Sequence, residues 1–164
     1  MRLIRYWICI GIFFANATCG DAFAARSLCA PEESVIFSCA TRESKKIALC
    51  VDKRTKIMTY LFGAVGNIEM AYSANEASEN GFTYNHYFRA DVDYARISFV
   101  KGGYEYSVFR SYDATESRVP RYGVAVARRG GDEVQIKCQS KVVDHLSKVI
   151  DHLKCDASSA LGCS

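Results

Sequence analysis

The chain has 164 residues, 21 of them basic and 18 acidic, with a formal net charge of +3; 49% are hydrophobic and only two are proline. So small a charge excess leaves no electrostatic footprint for nucleic acid or for an anionic membrane surface. No stretch beyond residue 24 approaches the ~20 consecutive apolar residues that a membrane-crossing helix needs.

Residues 1 to 24 read as a secretory signal peptide. Arg2 and Arg5 form a basic start, Trp7 to Ala15 (WICIGIFFA) an apolar run, and Ala22-Phe23-Ala24 supplies small residues around a cleavage site. The apolar run is too short to span a bilayer. Cys19 follows Asn16-Ala17-Thr18, which fits a lipoprotein signal poorly, and the glycosylation sequon these residues form is lost on cleavage. Cleavage near Ala24 leaves residues 25–164 as one exported domain, with periplasmic or secreted localisation. It removes Arg2, Arg5 and Asp21, so the charged residues become 19 basic against 17 acidic.

Beyond the signal, short runs rich in Val, Ile, Tyr and Phe predict strands. In chain order they are Ser34–Cys39, Lys46–Val51, Lys56–Phe62, Asn67–Tyr72, Gly81–Arg89, Tyr94–Val100, Gly103–Arg110, Tyr122–Arg128 and Glu133–Cys138. Lys101-Gly102-Gly103 and Arg129-Gly130-Gly131-Asp132 predict tight turns, because glycine tolerates φ > 0. Two longer connections, Ser73–Asn80 and Ser111–Arg121, predict loops, with Pro120 outside any strand. From Lys141 to Lys154 the apolar residues Val142, Val143, Leu146, Val149, Ile150 and Leu153 fall at helical spacing, which predicts a C-terminal helix with Ser140 as N-cap. The expected fold is mainly β: an antiparallel sandwich or barrel of about eight or nine strands with one C-terminal helix, stapled by disulfides.

Six cysteines survive cleavage: Cys29, Cys39, Cys50, Cys138, Cys155 and Cys163. An even number in an exported chain predicts disulfides, and six allow 15 pairings. The preferred set is Cys155–Cys163 as a small terminal loop, Cys39–Cys138 joining the first and last strands, and Cys29–Cys50. No Cys-x2–4-Cys spacing points to zinc, and no metal site is expected.

Catalytic signatures are sparse. There is no Gly-x-Ser-x-Gly, no His-Glu-x-x-His and no phosphate-cradling glycine loop, and no cofactor is expected. His145 and His152, each within an Asp-His-Leu triplet, stand seven residues apart, too far along a helix to share a metal. They read as part of a solvated polar face. Asp91/Asp93 and Glu76/Glu79 are carboxylate pairs in expected loops. What stands out is tyrosine, dense from Tyr84 to Tyr122, a residue enriched at protein interfaces and equally suited to cross-strand packing.

The strand Ile36-Phe37-Ser38-Cys39 resembles the Tyr-x-Cys strand that opens the domain of small bacterial periplasmic lysozyme inhibitors of the MliC and PliI types. Phe99-Val100-Lys101-Gly102-Gly103-Tyr104 resembles a degenerate form of their Ser-Gly-x-x-Tyr motif, with lysine in place of serine and a spacing shorter by one residue. Their Tyr-x-x-x-Thr-Lys-Gly motif is absent. The resemblance implies a non-catalytic envelope protein that binds another protein. The leading expectation is therefore an inhibitor or immunity protein against a lysozyme-like hydrolase or a secreted toxin. Its loops supply the candidate binding residues Glu76, Glu79, Lys101, Tyr104, Tyr112 and Arg118. The alternatives are a secreted hydrolase using carboxylates or His86 beside Asp91 or Asp93, and a small-ligand carrier with a barrel interior lined by Tyr and Phe.

Overall fold

The computed structural model describes residues 27–128 and 131–163. The expected signal peptide and the Arg129-Gly130 half of the second glycine turn lie outside them. Ten strands are present: β1 (Glu33–Thr41), β2 (Lys46–Asp52), β3 (Met58–Ala64), β4 (Asn67–Ala74), β5 (Thr83–Arg89), β6 (Val92–Lys101), β7 (Tyr104–Asp113), β8 (Ser117–Arg128), β9 (Glu133–Asp144) and the short β10 (Lys154–Cys155). They form one sheet in the order β10-β5-β6-β7-β8-β9-β1-β2-β3-β4. Two meanders, β1–β4 and β5–β9, are thus fused where β9 pairs antiparallel with β1.

The sheet curls until its two halves face each other, although its edges stay unpaired with one another. Phe99 on β6 meets Tyr60 on β3 at 5.0 Å between ring centroids and stacks on Tyr72 of β4 at 4.4 Å. Phe37, Ile47, Leu49, Ile97, Val108 and Val124 extend this core with essentially no exposure. Period-two alternation explains it: Tyr106 and Val108 point inward from β7, and Phe99 and Ile97 from β6. Gly123 on β8 is the residue that lets β9 come close. A Cβ there would sit 2.3 Å from the Ile136 carbonyl oxygen. Gly102 and Gly103, both at positive φ, make the two-residue β6–β7 turn.

All three preferred disulfides are formed: Cys29–Cys50, Cys39–Cys138 and Cys155–Cys163. They fit an oxidising, extracytoplasmic location. No helix among the described residues is long and apolar enough to cross a membrane. The C-terminal disulfide loop runs along the open edge of β5, where β10 pairs in parallel and the buried Asn85 amide donates to the carbonyls of Asp156 and Gly162. That cover blunts an edge that would otherwise invite another strand.

The sequence reading needs two corrections. The expected helix over 141–154, with its Ser140 cap, does not form. β9 continues through Asp144, with Val143 opposite Ser38 and Asp144 opposite Phe37, and only two 3-10 turns follow, Leu146–Lys148 and Ile150–His152. The β-branched pair Val142-Val143 suits a strand, and the neighbouring Cys39–Cys138 bond holds β9 against β1. The residues then left before β10 amount to little more than two turns, a length at which an α-helix is marginal by itself. The expected loop Ser111–Arg121 is mostly strand, since only residues 114–116 separate β7 from β8. Pro120 is tolerated there because β8 begins pairing with β9 only at Gly123, so one side of the strand needs no N–H donor.

Candidate functional site

A cleft of about 820 Å³ opens where the start of β1, the β2–β3 turn, the end of β4 and the 145–154 segment converge. Its floor is apolar: Ile36, Met58, Ala74, Phe82 and Val149 are each buried, and Val35, Val51 and Leu153 complete the lining. The size falls within the ~300–1,000 Å³ of ordinary ligand pockets.

Local sequence explains each wall. In β1 the register shifts between Val35 and Phe37, and this bulge turns Ile36 toward the cleft. In the β2–β3 turn the Asp52 carboxylate accepts the backbone N–H of Arg54 at 2.9 Å and of Thr55 at 2.6 Å. The bonds from Thr55, and then that from Arg54, hold the Asp52 carboxyl below its ordinary range. This fixed turn, with Lys56 at φ 60°, presents Lys53 and Lys56 at the rim. In the β4–β5 connection Asn75 and Ser78 bond each other through backbone and side chain, which places Glu76 on the cleft.

The fourth wall is the segment that fails to become a helix. The His145 N–H donates to Ile36 O at 2.8 Å, and its ring Nδ1 lies 3.1 Å from Val35 O, so Nδ1 carries the proton. The Leu146 N–H is capped by Asp144 Oδ1 at 3.1 Å, and the Leu146 side chain is wholly buried. From this anchor Lys148, Val149, His152 and Leu153 face the cleft. His145 and His152 therefore line one cavity rather than one solvated helix face. The sequence signal was present, but a helical period was the wrong ruler for it.

The rim is cationic. Lys53, Lys56, Lys148 and Lys154 line it against two carboxylates, Glu33 and Glu76. Glu33 is engaged by the Ala30 N–H at 2.7 Å, and Lys53 donates to Pro31 O at 3.3 Å. Lys56, Lys148 and Lys154 form no ion pair among the described residues.

A second constellation lies on the inward side of β5–β7. Asp93 Oδ1 is 3.1 Å from His86 Nε2, and Arg110 joins Asp93 to Asp144 at 2.8 and 3.0 Å. Arg110 also donates to Ser147 Oγ at 3.2 Å. Burial pulls the guanidinium pKa down, but its bonds to Asp144 and Asp93 outweigh this and leave it raised. Because Asp93 is shared with an arginine, the geometry is that of an ionic tie holding the 145–148 turn to the sheet. The Sγ atoms of Cys29 and Cys50 and a Glu33 oxygen also cluster, but the sulfurs are bonded to each other and offer no thiolate.

The sequence-derived binding residues separate into three places. Glu76 lines the cleft. Glu79 borders a smaller depression with Val100 and Glu105, beside the β6–β7 turn where Lys101 donates to Ala71 O at 2.7 Å and Tyr104 is 44% exposed. Tyr112 and Arg118 belong to the far end of the β7–β8 hairpin. Eight residues of strand put Tyr112 roughly 27 Å from Tyr104, so the six do not form one surface. Comparison with protein-family models, with curated proteins and with solved structures yields no match.

Proposed function

We propose that this protein is an exported, non-catalytic binding module, released by cleavage near Ala24, whose cleft takes a small apolar ligand. The observation that carries the reading is the cleft: concave, floored by five buried apolar residues and walled by hydrogen-bonded turns. Pre-formed apolar pockets with few polar groups are the usual form of a ligand site. The test is native mass spectrometry of protein purified from its own compartment, with displacement of an apolar fluorophore as the second readout. A bound small molecule, together with loss of fluorophore binding in Val149→Arg, supports the proposal. A ligand-free protein that leaves the fluorophore unbound removes it.

A second reading, protein inhibition, is favoured by one observation. The β4–β5 loop and the β6–β7 hairpin lie side by side, bringing Glu79 next to Val100 and Glu105. Exposed Val100 supplies an apolar contact, and the flanking charges of Glu79 and Glu105 would set register against a hydrolase or toxin. A panel of cell-wall hydrolases tests it. Inhibition that survives Glu79→Ala combined with Val100→Ala would dismiss this surface.

A further inference from the structure

We infer that the ligand is a single-chain amphiphile with one negative charge, a long-chain carboxylate, its chain on the Ile36–Met58–Val149 floor and its head at the lysine rim. This inference rests on the cleft being a ligand site and adds the chemistry of the ligand. Charge placement carries it. Lys56 and Lys148 enter the rim from two different walls, the β2–β3 turn and the 3-10 segment, and neither has an ion-pair partner among the described residues. A head held between them is approached from both sides, while the apolar floor selects the chain.

One further feature favours a single negative charge. Glu33 and Glu76 share the rim with four lysines, so the formal surplus is two positive charges, and the two carboxylates weaken the pull on a second negative charge. The lining also contains no arginine. Arginine's planar fork grips carboxylates and phosphates alike, so its absence leaves either head to lysine point charges.

The experiment is calorimetric titration of the purified chain, at low salt and below micelle concentrations, with hexadecanoate, hexadecan-1-ol, hexadecyl phosphate and hexadecyltrimethylammonium. Hexadecanoate should bind tightest, about threefold to tenfold better than the alcohol, as expected for two exposed ion pairs. Raising the salt should erase that margin and leave the alcohol unchanged. Lys56→Gln with Lys148→Gln should do the same, and retained binding of the alcohol shows that the double variant is folded. Shortening the chain by two carbons should weaken binding by up to about tenfold. Equal binding of alcohol and carboxylate overturns the headgroup assignment and leaves the cleft reading standing. Preference for the phosphate or the ammonium overturns it as well. Failure of all four overturns both.

Discussion

The inward face of β7 runs from an aromatic end to an ionic one, and the contrast shows two ways of filling a curled sheet. Around Tyr106 the space is taken by stacked and tilted rings: Phe99 at 5.1 Å, Tyr60 at 6.5 Å, with Tyr72 and Phe82 packed on Phe99. Two residues beyond Val108 the same face carries Arg110, tied to Asp93 and Asp144. The rings contribute area and dispersion and bring two halves of one sheet together. The charges contribute position, since Arg110 reaches β9 and Ser147 and so sets where the cleft's fourth wall stands. Burial raises the Tyr60 hydroxyl pKa at the first end. Tyr122 is raised at the second end, by burial and then by Asp144.

The largest expected effect lies at the aromatic end. Phe99→Ala should destabilise the fold by about 3–5 kcal/mol, because it removes the ring that four others touch. Chemical denaturation measures this, and a loss under ~1 kcal/mol would mean that the two halves do not depend on this contact. The ionic end should respond less. Arg110→Met should cost about 2 kcal/mol, below the figure for a fully buried pair, since Asp93 and Asp144 keep 24% and 13% exposure and the Arg110 Nε has no hydrogen-bond partner among the described residues. Adding Asp144→Asn should then cost less than it does alone, a coupling that a double-mutant cycle reads directly. Loss of ligand, read by fluorophore displacement, should accompany Arg110→Met if position is what the charges supply.

The smallest effect is acid sensitivity. Asp113, at the ionic end of β7, is held below the ordinary carboxyl range by its bonds from Thr115 and, less strongly, from Tyr94. A depressed pKa contributes stability that is complete above the unfolded value of about 4 and is lost as pH falls through the folded one. Melting temperature should therefore decline below about pH 4, and Asp113→Asn should flatten the decline. Phe99→Ala should lower the whole curve without changing its slope.

Strands and disulfides were legible because their signals are local. Period-two alternation in segments such as Tyr104–Phe109 needs no knowledge of the partner strand, and an even cysteine count suggested the staples. The 141–154 segment misled because Val142, Val143, Leu146 and Val149 satisfy a helical period while the pairing of Val143 with Ser38 is invisible in sequence. Ser111–Arg121 read as a loop because its polar residues and Pro120 are tolerated on a half-paired strand. The cleft left almost no trace, since its walls come from four segments joined only by the fold. Glu76 was singled out for its loop rather than for the cavity, and Lys56 and Lys148 carried no motif. Arg110 passed unnoticed among strand residues, although His86 and Asp93 were read as possible neighbours.

The pairing of β9 with β1 sets an order of events for a chain that emerges N-terminus first. Cys39 waits for a partner 99 residues behind it, an interval on the order of 5–20 s at ordinary synthesis rates. Before β9 is made, Cys39 has only Cys29 and Cys50 as possible partners in the domain, and β1 has only β2 to pair with. The first strand is left with half of its ladder open until the last long strand arrives, so correct oxidation of this protein is a matter of delay as much as of geometry.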